Sequence, residues 1–184
     1  MSSMKYIALL RGINVGGKNP VPMADLRACL EAAGLKNVQT YIQSGNVIFE
    51  SDAKDETKLT NQVEQAIEEA FGFPVVVALF SQAEFEHIAT HTPKNWLKNP
   101  EWKYNYLFLK KPTSAQDALA ALGDQKTEIE YVIAGKGVLY QAMSIKLFGR
   151  TTASKMIGTP IYKQMTIRNE NTVQKLLALL KTDV

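Results

Sequence analysis

Arg11, Asn14, Lys18 and Asn19 surround three glycines, Gly12, Gly16 and Gly17, in one short stretch of the chain. That combination suits the holding of an anion. Glycine lets the backbone take positive φ and come close to a ligand, and the four polar side chains put donors around the bend. Gly12 through Lys18 also fits the G-x-x-x-x-G-K portion of a phosphate-cradling P-loop. Two departures argue against a nucleotide hydrolase of that type. Asn19 stands where Ser or Thr should hold Mg²⁺, and Pro20 and Pro22 delay the helix that should begin at the lysine. No later predicted strand ends in the Asp that such an enzyme needs for its metal. The stretch reads as a strand-end loop for a polar, anionic partner, with a plain connecting turn as the alternative.

Three further motifs share this composition. Ser44-Gly45-Asn46 joins two predicted strands, Ser154-Lys155 lies in a region of uncertain helix limits, and Arg168-Asn169 ends the last predicted strand. Guanidinium suits bidentate contact with phosphate or carboxylate, so Arg11 and Arg168, each at a strand end, are candidate anion grips. Each motif also has a structural reading. The 44–46 turn demands Gly and Asn by itself, and Asn169 or Asn171 can cap the final helix while Arg168 pairs with Glu170.

Catalytic chemistry has few visible players. His87 and His91 lie four apart on one predicted helix, but Ile88 replaces the Glu of a zinc-protease motif and no third ligand is near, so a solvated helix face is expected. No G-x-S-x-G frames Ser44 or Ser154. Asp25, Glu50 and Glu170 only flank the motifs. Cys29 lies on an apolar helical stripe with Leu26, Leu30 and Ala33, which predicts a buried, inert thiol. Lys94, Trp96, Lys98, Trp102, Lys103, Tyr104 and Tyr106 interleave bases with aromatics, a pattern that suits single-stranded nucleic acid; the two tryptophans also suit a wedge between subdomains.

The 184 residues are 46% hydrophobic and 21% charged, ordinary for a globular protein. No apolar run is long enough for a membrane helix, and no signal-peptide pattern precedes the first strand; a cytoplasmic location is expected. The net charge of +3 hides an asymmetry. Residues 1–92 carry seven basic against eleven acidic side chains, and residues 93–184 carry fourteen against seven. A basic half hints at an anionic partner, or at docking of the two halves on each other.

Periodicity and turn signals predict the order β-α-β-β-α-β twice, at about 5–80 and 104–168, with Gly45-Asn46-Val47-Ile48-Phe49 echoed by Lys136-Gly137-Val138-Leu139-Tyr140. That order is the ferredoxin-like pattern. The expected fold is α+β: a first unit at 1–92, a connector at 93–103, and a second unit with a terminal helix at 104–184. The final strand is expected at Ile161–Arg168.

RGINVGGKN near the N-terminus, SGN-VIF after a strand, the SxxKMxG-like stretch from Thr152 to Gly158 and the closing TIRNENT together resemble the uncharacterised bacterial family called domain of unknown function 1697. The resemblance implies a duplicated α+β architecture and supplies no reaction. By it, the positions to carry over are Arg11, Gly12, Asn14, Gly16, Gly17, Ser44, Gly45, Asn46, Ser154, Lys155, Arg168, Asn169 and Thr172. The residues themselves point to a binding protein for a phosphorylated ligand, nucleotide or RNA, held in a cleft between the halves. A phosphate-ester hydrolase or transferase using Arg11, Lys18, Lys155 and Arg168, and an adaptor for an acidic protein, are the other readings. The cofactor and oligomeric state are left open.

Overall fold

The run Tyr6-Ile7-Ala8-Leu9-Leu10 is apolar on both faces, as a central strand must be, and the chain builds outward from it. The computed structural model describes residues 3–182. Strand β1 (Met4–Leu10) leads through the glycine loop to helix α1 (Met23–Ala32), then β2 (Lys36–Tyr41), β3 (Asn46–Ser51), α2 (Glu56–Phe71), β4 (Val77–Ser81) and α3 (Gln82–Thr90). The order repeats as β5 (Trp102–Leu109), α4 (Ala115–Leu122), β6 (Glu130–Ala134), β7 (Val138–Ser144), α5 (Thr152–Met156), β8 (Met165–Asn169) and α6 (Glu170–Lys181). Each set of four strands forms one antiparallel sheet, ordered β2-β3-β1-β4 and β6-β7-β5-β8. The fold is thus α+β, with two ferredoxin-like units and a C-terminal helix.

One unit runs to Glu86 and also takes in the chain from Leu176; the other is His87–Lys175. In the first unit Tyr6, Ala8 and Leu10 of β1 pack with Leu26 and Leu30 of α1 and with Leu59, Val63 and Ile67 of α2. Asp55 caps α2 by accepting from the Lys58 amide, and Gly72 ends it in the left-handed conformation. Lys5 Nζ donates to the carbonyls of Leu180 and Thr182 at the end of α6, where a cation meets the negative end of the helix dipole.

In the second unit Leu107, Leu109, Leu139 and Met165 form the sheet side of the core, and Ala118, Leu122 and Met156 the helix side. Its second helix is the shorter by far. α2 has 16 residues, whereas α5 has five and is preceded by a single 3-10 turn at Phe148–Arg150. Thr151 caps α5 by accepting from the Ser154 amide. A helix within 145–157 is expected without definite limits, and one expected strand starts later. The segment 145–157 yields only those two short pieces, and the last strand begins at Met165 because Tyr162–Gln164 forms a 3-10 turn instead. Gly149, Gly158 and Pro160 interrupt any longer regular element there.

Candidate functional site

The glycine loop folds as a miniature hairpin on the end of β1. Its Asn14 amide donates to the Asn19 carbonyl at 3.0 Å and its Lys18 amide to the Val15 carbonyl at 3.0 Å, which closes a turn over Gly16-Gly17. Those glycines have φ of 58° and 74°, the conformation that a two-residue turn of this twist requires. Asn14, also left-handed at φ 52°, is the clamp. Its Oδ1 accepts from the Val21 amide at 2.8 Å, while Nδ2 donates to the Val21 and Gln43 carbonyls, each at 2.9 Å. Asn19 Nδ2 donates back to the Gly12 carbonyl. The helix starts at Met23, well past Lys18, so the geometry differs from a P-loop.

Because β1 lies beside β3, the loop and the β2–β3 turn come together, as the strand order requires. The Leu10 amide donates to the Gly45 carbonyl at 2.8 Å, and Asn14 reaches Gln43. The connection occupies residues 42–45, so Asn46 is the first residue of β3 rather than part of the turn, paired with Leu9 on one side and Tyr41 on the other. It is fully buried and donates to the Tyr41 carbonyl and to Ser44 Oγ. Asn14, Ser44 and Asn46 therefore build the double loop, while Gly16, Gly17 and Lys18 stand exposed at its tip. Arg11 is half-buried at its base, its amide donating to the Val76 carbonyl.

The second-unit candidates lie on opposite faces of their sheet. Leu107 and Ile167 face α4 and α5, so their neighbours Tyr106 and Arg168, paired across β5 and β8, face away. Arg168 is buried, and its Nη1 donates to Thr166 Oγ1 and the Ile167 carbonyl, both at 2.8 Å. Burial pushes its pKa down to about 10. A cation depressed on folding binds fewer protons folded than unfolded, so this burial cost is constant at neutral pH and shrinks only above about pH 10. Ser154 turns its hydroxyl onto the Thr151 carbonyl at 2.7 Å, and Lys155 is exposed. Asn169 is the cap of α6, accepting from the Thr172 amide at 2.9 Å. The sheet separates Arg168 from Ser154 and Lys155, so these three do not converge within their unit.

Replacing Arg168 with Lys retains charge but loses the planar fork. We expect a loss of about 1.5–3 kcal/mol, the scale of a charge-assisted hydrogen bond, read as a lower melting temperature. A variant that melts like the parent would show that the buried fork is dispensable.

The aromatic stretch is not an open stacking platform. Tyr104 and Tyr106 are buried, and the Trp96 ring meets Tyr104, Tyr106 and Tyr140 edge-on at 5.0, 5.3 and 5.6 Å. Trp96 Nε1 and the Tyr106 hydroxyl both donate to Glu170 Oε2, and Tyr140 donates to the Ile88 carbonyl. Burial pushes the Tyr140 phenol up to about 12; burial and then the Glu170 carboxylate raise that of Tyr106 further. His87 and His91 are exposed and stacked on each other. Cys29 is half-buried, with its thiol pKa raised first by desolvation and then by Asp25. Among the described residues no three His, Cys, Asp or Glu side chains form a metal-sized cluster, and no helix is long and apolar enough to cross a membrane. Sequence reasoning passed over the buried amides Asn105 and Gln141, although each is a polar residue inside a mostly apolar strand.

The family model described as protein of unknown function (DUF1697) matches residues 4–140. The structure is similar to that of a conserved bacterial protein from Streptococcus pneumoniae, at 30% identity and a TM-score of 0.86, over 98% of this chain and 100% of that one. No curated protein matches.

Proposed function

Since the chain belongs to the DUF1697 family, whose description assigns no activity, we propose from its site geometry that it is a non-catalytic binding protein for a phosphorylated ligand. The contact is the double loop of the first unit. One observation carries this reading: Asn14 bonds to both Val21 and Gln43, which fixes the glycine turn against the β2–β3 turn and holds Lys18 out at a pinned tip. A cation on a rigid turn loses little conformational freedom on meeting a phosphate. Exposed glycine amides beside it suit the close approach of an oxyanion. Nucleotides and short RNA are the ligand forms to test, with the phosphate backbone as the part recognised, since Tyr104 and Tyr106 are buried.

The test is titration with a labelled single-stranded RNA and with ATP over a range of salt. Affinity should fall steeply as salt rises, and Lys18→Ala should lower the slope of log K against log salt by about 0.7–0.9, the share of one phosphate contact. Absence of binding at low salt, or a slope unaltered in the variant, would remove the double loop from the site.

A further inference from the structure

The shortness of α5 leaves part of the second sheet under thin cover. A cavity of about 160 Å³ opens there, on the face that carries α4 and α5. Leu107, Met143, Phe148 and Met156 make its walls apolar, and Asn105 and Gln141 also line it. Those two residues are direct partners across β5 and β7, and both are about 96% buried at 4% exposure. Asn105 Nδ2 donates to Gln141 Oε1 at 3.1 Å. That bond uses one group of each amide. Asn105 Oδ1 and Gln141 Nε2 have no hydrogen-bond partner among the described residues, yet neither is sealed from solvent-sized space. Turning both amides over exchanges the roles and still leaves one acceptor beside one donor.

The free halves of the two amides open onto the cavity, where water or a polar ligand can complete them, so this otherwise apolar space has one polar edge able to recognise a ligand. The unmet acceptor and donor belong to directly opposed residues of adjacent strands that both line the cavity, so one wall offers both. The matching ligand edge has a donor next to an acceptor in one plane, as the edge of a nucleobase has. The apolar walls suit the faces of such a ring. Its volume takes a single ring system and is too small for a larger ligand.

A second cavity of about 230 Å³ shares Lys103, Met143 and Phe148 with the first and continues to Ser144 and the exposed Ile145. Lys103 is itself exposed, at the wall common to both. The unit around them, His87–Lys175, holds thirteen Lys and Arg against six Asp and Glu. An anionic substituent leaving the inner cavity would pass this ammonium.

We propose that this cavity is a second binding site, distinct from the double loop, which takes a nucleobase against Asn105 and Gln141 and the phosphate of its mononucleotide beside Lys103. Calorimetric titration with AMP, GMP, CMP and UMP, each compared with ribose 5-phosphate, tests it. At least one mononucleotide should bind more tightly than ribose 5-phosphate. The double variant Asn105→Leu, Gln141→Leu replaces both polar partners with apolar groups of similar size, a change that is close to neutral for folding. It should weaken that mononucleotide by about tenfold or more, the worth of two hydrogen bonds. Lys103→Glu sits at an exposed position and keeps the fold whatever the double variant does. It should weaken the mononucleotide by about tenfold while leaving the free base within about twofold, since only the phosphate meets it. Binding by none of the four at millimolar concentration, equal binding by ribose 5-phosphate, or a Lys103→Glu variant that binds as the parent does would overturn the proposal. Lys18→Ala leaves this site untouched, so failure here and failure at the double loop are separately visible.

Discussion

Gly45→Ala should cost this protein about 2–5 kcal/mol, combining the roughly 1–2 kcal/mol of a side chain forced into the left-handed region with about 1–3 kcal/mol of overpacking. Gly45 has φ +81°, and a Cβ there would lie 2.7 Å from Leu10 Cβ and 2.8 Å from Ile13 Cδ1. Neither neighbour can retreat cheaply. Leu10 is the fully buried end of β1, and Ile13 is the buried plug of the glycine loop, at 1% exposure. The Gly45 carbonyl also accepts from the Leu10 amide, so the turn cannot swing away without breaking that bond. Chemical denaturation should show the loss directly. Ile13→Ala combined with Gly45→Ala should cost less than the sum of the two single changes, because one of the two close contacts of the new methyl is then removed. A Gly45→Ala protein as stable as the parent would contradict the packing described for the double loop.

Trp96→Ala should be of similar size, about 3 kcal/mol, at the lower end of the range for removal of a packed tryptophan because the ring is only half-buried. The ring covers Tyr104, Tyr106 and Tyr140, and its N–H donates to Glu170. Truncation would open all three tyrosines to water and leave that carboxylate oxygen with Tyr106 as its donor. Trp96→Phe separates the two contributions. It retains much of the ring contact and loses the charge-assisted hydrogen bond, for an expected cost of about 1.5–3 kcal/mol. Melting temperatures of the two variants should therefore be ordered parent, Phe, Ala. If Trp96→Ala melted with the parent, the residue would be a surface side chain and not the lid of its sheet face.

Much of the fold was legible in the linear chain, and for stated reasons. Ile7-Ala8-Leu9-Leu10 has no polar face, which only a central strand tolerates, and β1 is central. Asp55, Ser114 and Asn169 stand where helix caps belong, and each accepts from the first-turn amides of its helix. The duplicated order of elements follows from the spacing of apolar runs and turns. The ferredoxin-like element order implies that β1 lies beside β3, and that pairing brings the glycine loop and the β2–β3 turn together. All of these are local properties, or consequences of one topological rule.

What a polar residue does is a different matter, because it depends on which groups from distant parts of the chain arrive beside it. Asn14 and Asn46 read as ligand donors, yet their amides are taken by Val21, Gln43, Tyr41 and Ser44. Arg168 read as an anion grip at a strand end, but the alternation of β8 turns it to the face opposite α5, where burial lowers its pKa. Tyr104 and Tyr106 look available for stacking until Trp96 closes over them. Gly149, Gly158 and Pro160 keep α5 short, but the tertiary structure alone decided which part of the sheet that leaves uncovered, and hence that Asn105 and Gln141 would face a cavity instead of a packed helix. Strand periodicity names the face on which a side chain lies, and only the packing of other elements determines whether that face is covered, filled or left open.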